Sequence, residues 1–372
     1  MDEPYRMVAL DPHLYGGTSG IAIFLAACER IFGGGLYREF ALEALASVRR
    51  KLRSILTDPE RTKQVKFKLG GVFGIGSLLY SLLRVGLLLD KGELIGEAHE
   101  LSALITQGRI RGDEFLDLTL GSAGTLLALL LLDRVAPEPN RNGVRPLELA
   151  NACAHHLLDR RVSFEGRPRS WETMKGFPPL TGLSHGAAGI AYALLRLYES
   201  TGEPALRETA HEAFAFEKTY LSSEKGNWRD TRSSTPVFLT SWCHGAPGIA
   251  LGRLGVFELA GAESGGEVRM ALETTSSCAL TDLDHVCCGN MGRVEVLLYA
   301  HQILGDPELL LEAHQLAHAA LDRAVERSGY GWLPNTAGRL FDPAYFSGAA
   351  GVGYAFLRLA EPDKLPCILL LE

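Results

Sequence analysis

The 372-residue chain carries 37 basic and 44 acidic residues, a net charge of -7, and no basic run longer than a few residues, which excludes a nucleic-acid footprint. No apolar run approaches the roughly 18 residues of a membrane span, and the opening MDEPYRMVAL lacks the charged-then-apolar pattern of a signal peptide. Seven cysteines, an odd number spread over the whole length, argue for reduced thiols or a metal site rather than a secreted disulfide framework, so a cytoplasmic protein is expected.

Glycine organises the chain. A Gly-x-x-Gly tetrad followed by an apolar stretch occurs seven times, starting at Gly17, Gly71, Gly121, Gly186, Gly245, Gly289 and Gly348. The stretches that follow are IAIFLAACERIFG, IGSLLYSLLRVG, TLLALLLLDRV, IAYALLRLYESTG, IALGRLGVFELAG, RVEVLLYAHQILG and VGYAFLRLAE. One tetrad carries no information, but seven at intervals of 44 to 65 residues form an array. The post-tetrad helices are apolar nearly all round and are expected to be buried. Between them lie amphipathic patterns such as YREFALEALASVRRKLRSIL, RPLELANACAHHLLDRR, EPALRETAHEAFAFEKTYL and PELLLEAHQLAHAALDRAVER.

The economical architecture is all-α: an α/α toroid over residues 1–372 as a single domain, with seven apolar inner helices and amphipathic outer ones. Each tetrad lets backbone approach closely and leaves helix N–H groups pointing at one end of the ring. Seven inner helices need seven outer partners, but only six intervals separate the tetrads, and sixteen residues precede Gly17. Either the ring stays open at the first repeat or the chain is part of a longer one, and the inner helix near Gly20 is expected to have an uncovered flank.

Three tetrads are preceded by reactive side chains: LTGLSHG with His185, SWCHG with Cys243 and His244, and DHVCCG with Cys287 and Cys288. All of these fall at one end of the ring, and neighbouring repeats bring Cys243 beside Cys287 and Cys288. Three thiols with one open position suit a catalytic zinc; the alternative is unreactive buried cysteine. Cys28, Cys153, Cys278 and Cys367 sit in helical or terminal stretches and read as core or incidental. Trp171, Trp228, Trp242 and Trp332 stand in loops at the tetrad end, where they either line a peptide groove or pack the loops.

These motifs carry a resemblance. SHGAAGIAYALLRLYESTG, NWRD, SWCHGAPGIALGRL, CCGNMGRVE and FSGAAGVGYAFLRLAEPDKLPCILLLE resemble the lanthionine synthetase C-like cyclases, and more narrowly the C-terminal cyclase domain of class II lanthipeptide synthetases. The resemblance covers essentially the whole chain, and its CCG form is similar to the subset with three cysteine ligands. It implies a seven-fold α,α-barrel, a zinc ion and thioether ring closure. In that chemistry a cysteine of a precursor peptide adds to a dehydroalanine or dehydrobutyrine.

Residue by residue, the resemblance implies Cys243, Cys287 and Cys288 as zinc ligands and His185 as the acid/base. Asp117 would orient His185 or carry a proton, or else only cap its helix. His244 would polarise the enolate oxygen. An arginine common four residues before the first zinc cysteine is Leu239 here, which leaves Arg232 and Arg293 as candidates for that role. The expected partners are a dehydrated, Cys-containing precursor peptide and a dehydratase domain, in cis or in trans, and the short start suggests a domain separated from such a partner. Two rivals are a protein that adds glutathione to dehydrated residues, and a non-catalytic, zinc-bearing scaffold that binds peptide. A glycosidase-type toroid fits less well, because no paired carboxylates stand at the tetrad end.

Overall fold

The computed structural model describes residues 10–64, 67–261, 264–334 and 340–372. Helices follow one another as inner–outer pairs: α1 (Thr18–Phe32) with α2 (Leu36–Leu56), then the short α3 (Pro59–Gln64); α4 (Ile75–Leu88) with α5 (Gly92–Ser102), then the short α6 (Gln107–Arg111); α7 (Ser122–Val135) with α8 (Pro146–Asp159). The series continues with α9 (Ala187–Thr201) and α10 (Pro204–Lys218), α11 (Ala246–Leu254) and α12 (Ser264–Ser277), α13 (Asn290–Leu304) and α14 (Pro307–Glu326), and ends with α15 (Ala349–Ala360). Each inner helix packs on its outer partner, and the seven inner helices contact one another in sequence from α1 to α15, with α15 returning to α1. The architecture is an α/α toroid. Strand is confined, among the described residues, to the hairpin Leu221–Ser222 with Asn227–Trp228. Among those same residues no helix is long and apolar enough to cross a membrane.

The ring closes. The helix with no outer partner after it, among the described residues, is α15, which α1, α13 and α14 flank. The first inner helix is not left bare as the repeat count suggested: α2 packs along α1, and Ala22, Ile23, Ala26 and Ala27 are fully buried.

Closure runs through backbone hydrogen bonds between the loops that enter the inner helices. Tyr15 N–H donates to Val72 C=O (3.3 Å), Val72 to Thr119 (3.2 Å), Thr119 to Ser184 (3.3 Å) and Ser184 to Cys243 (3.3 Å). Cys243 then donates to Cys287 (3.4 Å), Cys287 to Phe346 (3.0 Å), and Phe346 back to Tyr15 (3.0 Å). Each of the seven stands two residues before the glycine that caps its inner helix. The buried loop amides and carbonyls thus satisfy one another instead of being left unpaired.

The tetrads explain how the loops come this close. The second glycine of a tetrad sits in the first turn of its helix beneath the entering loop. A Cβ on Gly189 would lie 1.9 Å from the carbonyl oxygen of Leu183, and one on Gly292 would lie 2.1 Å from that of Val286. The second repeat is shifted. There the tetrad from Gly71 precedes α4 rather than opening it, and Gly74, at φ 96°, is the N-cap.

A glycine cap offers no side chain to the helix N–H groups, so remote side chains supply acceptors. Asp113 accepts from Ser122 N–H (2.7 Å), Glu217 from Ala188 N–H (3.2 Å) and Asn227 from Ala246 N–H (2.8 Å). Residues near 370 fill the middle of the ring: Trp242 Nε1 donates to Leu369 C=O (3.2 Å), and Tyr80 donates its hydroxyl to Glu372 C=O (3.0 Å).

The glycine contacts make a direct prediction. Gly189→Ala should destabilise by about 1–3 kcal/mol through overpacking and lower the melting temperature by about 1–4 °C. Gly265→Ala on α12, where a Cβ meets open space, should leave it unchanged or raised. Equal melting temperatures for the two variants would contradict the close-approach account.

Candidate functional site

The belt of loop hydrogen bonds decides which side chains meet. Repeats five and six are joined through Cys243 N–H and Cys287 C=O, so their thiols face the same space. Cys288 Sγ lies 3.2 Å from Cys243 Sγ and 3.4 Å from Cys287 Sγ, and the three sulfurs lie within 4.8 Å of one another. Cys243 and Cys287 are buried and Cys288 is half-buried. Tetrahedral zinc–thiolate bonds of about 2.3 Å space their sulfurs by roughly 3.8 Å, so shifts of a few tenths of an ångström would seat an ion. Soft, convergent, mostly buried sulfurs are the donor set zinc prefers. Among the described residues this trio is the group of metal-ligating side chains that could hold an ion.

The three thiols shift one another in opposite directions. Hydrogen bonds from Cys287 and Cys288 hold the Cys243 thiol well below its ordinary value, and burial opposes them only in part. Cys287 is pushed well up by the same hydrogen bonding and by burial, and Cys288 rises to about 12, chiefly through its bond to Cys243. Both Cys243 and the Cys287–Cys288 pair precede helix N-termini, whose partial positive charge favours thiolate.

His185 enters from the loop before α9, one repeat earlier. Its Nδ1 lies 2.7 Å from Asp117 Oδ2, which comes from the loop before α7. Asp117 is fully buried, and its other oxygen accepts from Leu120 N–H at 2.6 Å, so it caps its own loop and orients the histidine together. Burial disfavours the His185 imidazolium, but the hydrogen bond and charge of Asp117 outweigh it, leaving the pKa above the ordinary histidine value. Burial raises Asp117 as well, and its bonds to His185 and Leu120 pull it back only in part. With Nδ1 engaged, Nε2 is left for chemistry, the division of labour that a buried carboxylate imposes on a catalytic imidazole. Glu217 of α10 holds this loop: it accepts from Gly182 N–H (2.9 Å) and pairs with the fully buried Arg253 (3.0 Å).

His244 is buried, with its ring centroid 6.1 Å from that of His185. Burial lowers its pKa, the charge of Cys243 opposes this only in part, and the Arg232 guanidinium adds to the lowering. Arg232 is the cation of the site. Its Nε and Nη2 grip the Asp230 carboxylate at 2.6 to 3.1 Å, and its charge acts on Cys243, Cys288, His185 and His244. Arg293, the other candidate, is buried and bonds the carbonyls of Cys278 and Ala279 and the side chain of Asn290, so it ties α13 to the end of α12 instead. Leu239 serves through its backbone, accepting from Asn227 Nδ2 at 3.0 Å.

Tyr15, Ser241 and His285 belong to the surroundings of the trio and carry no motif that singles them out. The charge of Cys287 acts on the Tyr15 hydroxyl, Ser241 Oγ lies 3.2 Å from Cys243 Sγ, and His285 Nδ1 accepts from Cys288 N–H at 3.3 Å. The four tryptophans are all buried, so they pack the loops and line no open groove. Trp171 donates to Leu157 C=O, and Trp228 stacks on the Arg253 guanidinium. Cys28, Cys153 and Cys367 are buried singly in the core.

Residues 8–370 match the family described as lanthionine synthetase C-like protein. The chain is 24% identical to glutathione S-transferase LANCL1 of Danio rerio over 375 residues, covering 95% of this chain and 84% of that protein. Among solved structures, nisin cyclase aligns with a TM-score of 0.70 at 16% identity, covering 98% of this chain and 93% of its own. An α-1,6-mannanase of Salegentibacter sp. aligns at 0.50 and 13% identity, over 87% of this chain and 99% of its own, a likeness of fold alone.

The Asp117–His185 pair has a measurable signature. His185 is raised in the folded state, so the stabilisation from its pairing is lost as pH rises from its unfolded value of about 6.5 through its folded pKa. Asp117→Asn keeps the acceptor for Leu120 but removes the charge. NMR titration should then show His185 ionising at lower pH, and thermal melts should lose that part of the pH dependence. An unmoved His185 titration would mean that the carboxylate does not govern the imidazole.

Proposed function

The chain belongs to the lanthionine synthetase C-like family, and from that premise we propose that it is a zinc-dependent lanthionine cyclase. Its substrate is a precursor peptide in which Ser or Thr residues have been dehydrated and free cysteines remain. The observation that carries the reading is the convergence of three cysteine sulfurs with a carboxylate-oriented histidine at one end of the ring. Cys243, Cys287 and Cys288 are the residues that would hold zinc. When bound, zinc supplies the positive charge that keeps an incoming peptide thiol deprotonated near neutral pH, against a free thiol pKa of about 8.5. Three resident cysteinates, rather than two with a neutral histidine, leave the site net negative, which favours release of the peptide sulfur toward its electrophile.

The bond-forming step makes one S–C bond at the β-carbon of the dehydrated residue and moves the C=C electron pair toward the α-carbon and its carbonyl. His185, protonated through its pairing with Asp117, delivers the proton to the α-carbon and is then reloaded from solvent. Arg232, fixed by Asp230, faces the negative charge of the thiolates and of the enolate, the task an arginine at the Leu239 position would otherwise perform. His244, buried beside His185 with a lowered pKa, would donate a hydrogen bond to the same oxygen. A dehydratase must act first, in cis or in trans, and reduced cysteines suit a cytoplasmic setting.

A second reading draws on the zebrafish relative, whose name is that of a glutathione transferase. In that case the added thiol is glutathione and the dehydrated residue lies in another protein. Incubation with a dehydrated, Cys-containing peptide separates the two readings. Ring closure leaves the mass unchanged while removing a thiol from alkylation, whereas glutathione addition raises the mass.

Metal analysis should find close to one zinc per chain, and Cys243→Ala with Cys287→Ala should lose it. Full zinc retention in that double variant would exclude the trio as ligands. His185→Asn should keep zinc and peptide binding but slow single-turnover ring closure about 10²- to 10⁴-fold. Loss of zinc together with rate would identify His185 as a ligand, and an unchanged rate would remove it from the proton transfer.

A further inference from the structure

With zinc bound, the thiolates of Cys243, Cys287 and Cys288 would stand beside the peptide thiolate as four chemically similar nucleophiles near the same electrophile. If a resident sulfur attacked the dehydrated residue, an S–C bond would form at its β-carbon, the C=C pair would move to the α-carbon and a proton would follow. The peptide would then be tethered to the protein and the site lost. The incoming sulfur must differ from the others in something besides coordination.

The surroundings of the trio supply that difference. Tyr15 reaches the site because the ring closes: its N–H and C=O are bonded to Val72 and Phe346, and Phe346 C=O in turn accepts from Cys287 N–H. Its ring is stacked between Phe73 (centroids 5.0 Å, 20°) and Phe346 (5.3 Å, 7°), which fixes the direction of its hydroxyl. That hydroxyl lies close enough to Cys287 for the charge of the sulfur to act on it. Ser241 Oγ lies 3.2 Å from Cys243 Sγ and 3.1 Å from His244 C=O. It has one proton to give, and an anionic sulfur is the stronger acceptor. Cys288, the most exposed of the three, has the guanidinium of Arg232 acting on it.

We propose that Tyr15 and Ser241 are positioning residues that hydrogen-bond the resident thiolates of Cys287 and Cys243 and so make them poorer nucleophiles than the incoming peptide sulfur. A hydrogen bond to a ligand thiolate draws electron density from sulfur while leaving it coordinated, as outer-shell donors generally tune metal ligands. Arg232 does the same for Cys288 through its charge. The inference rests on the zinc–cysteinate reading above, and it assigns work to residues outside both the ligand set and the proton-transfer pair.

Tyr15→Phe is the sharp test, because it removes the hydroxyl and keeps the ring between Phe73 and Phe346. The full chain is loaded with zinc, or with cobalt as a spectroscopic substitute, and treated with iodoacetamide, which forms an S–C bond and releases iodide. Peptide mapping should show Cys287 alkylated about five-fold faster in Tyr15→Phe, equivalent to one hydrogen bond of about 1 kcal/mol, at unchanged metal content. The sulfur-to-cobalt charge-transfer band should move to longer wavelength. Ser241→Ala should do the same at Cys243, and Ser241→Thr, which restores the hydroxyl, should reverse it.

Unchanged band position and alkylation rate in metal-loaded Tyr15→Phe and Ser241→Ala would overturn the proposal while leaving the zinc reading intact. A wild type that binds neither zinc nor cobalt would remove the zinc reading and this inference with it. Loss of metal from Tyr15→Phe would make Tyr15 a structural support, overturn its assignment, and leave the Ser241→Ala and Ser241→Thr pair to decide for Cys243.

Discussion

Seven hydrogen bonds between main-chain groups, one per repeat, hold the loops at one end of the toroid in a closed circuit. Each joins residues two positions before a helix-capping glycine, so the side chains at that position and the next are placed in ring order, whatever they are. Cys243 meets Cys287 for this reason, and His185 stands one step away. The circuit depends in turn on the glycines beneath it, since a Cβ at Gly189 or Gly292 would collide with a carbonyl of the loop. Side chains can change at the rim without disturbing the circuit, but glycine cannot. That arrangement lets one end of a barrel carry chemistry while its geometry is set by backbone alone.

Much of this was legible in the chain because the signals are local. Glycine tetrads, apolar runs and the cysteines beside them lie within a few residues of one another, and neighbouring repeats in sequence are neighbours in space. What escaped is what depends on long-range packing. Helices α5 and α12 do not announce themselves, because Gly92 and Gly96, or Gly265, Gly266 and a run of Thr and Ser, dilute their patterns. The stretch from Ile249 to Gly261 reads as one helix, yet α11 stops at Leu254, where Gly255 lies against the Tyr192 ring. The missing outer helix was assigned to α1, because counting intervals cannot tell whether an outer helix pairs with the inner helix before it or after it. Tyr15 lies 272 residues from Cys287 in sequence, and no periodicity brings the two together.

The site also separates two kinds of charge. On one side are sulfurs in the field of Arg232; on the other is a histidine whose pKa a buried carboxylate raises. Burial and Arg232 lower the pKa of His244 against the opposing charge of Cys243. On the proposed reading, an anionic nucleophile and a cationic acid would coexist at similar pH through different neighbours rather than different solvents. Glu217 and Arg253, an ion pair with no solvent exposure on either side, support the histidine loop from behind. Such a pair adds little to stability, but breaking it strands a charge, which favours one loop position over its alternatives.

A linear array of helical repeats has two apolar ends, and it stays soluble only when each end is masked by a modified terminal unit. The contact of α15 with α1 and the Phe346–Tyr15 hydrogen bond remove both ends. Fraying from a terminus, the ordinary route by which stacked repeats come apart, has nowhere to begin. Losing any one unit opens the circuit for all seven, so the molecule should unfold as a single cooperative body. Its assembly carries the matching burden: the first repeat must wait for a partner more than three hundred residues later in the chain, a separation that places ring closure among the slow events of folding.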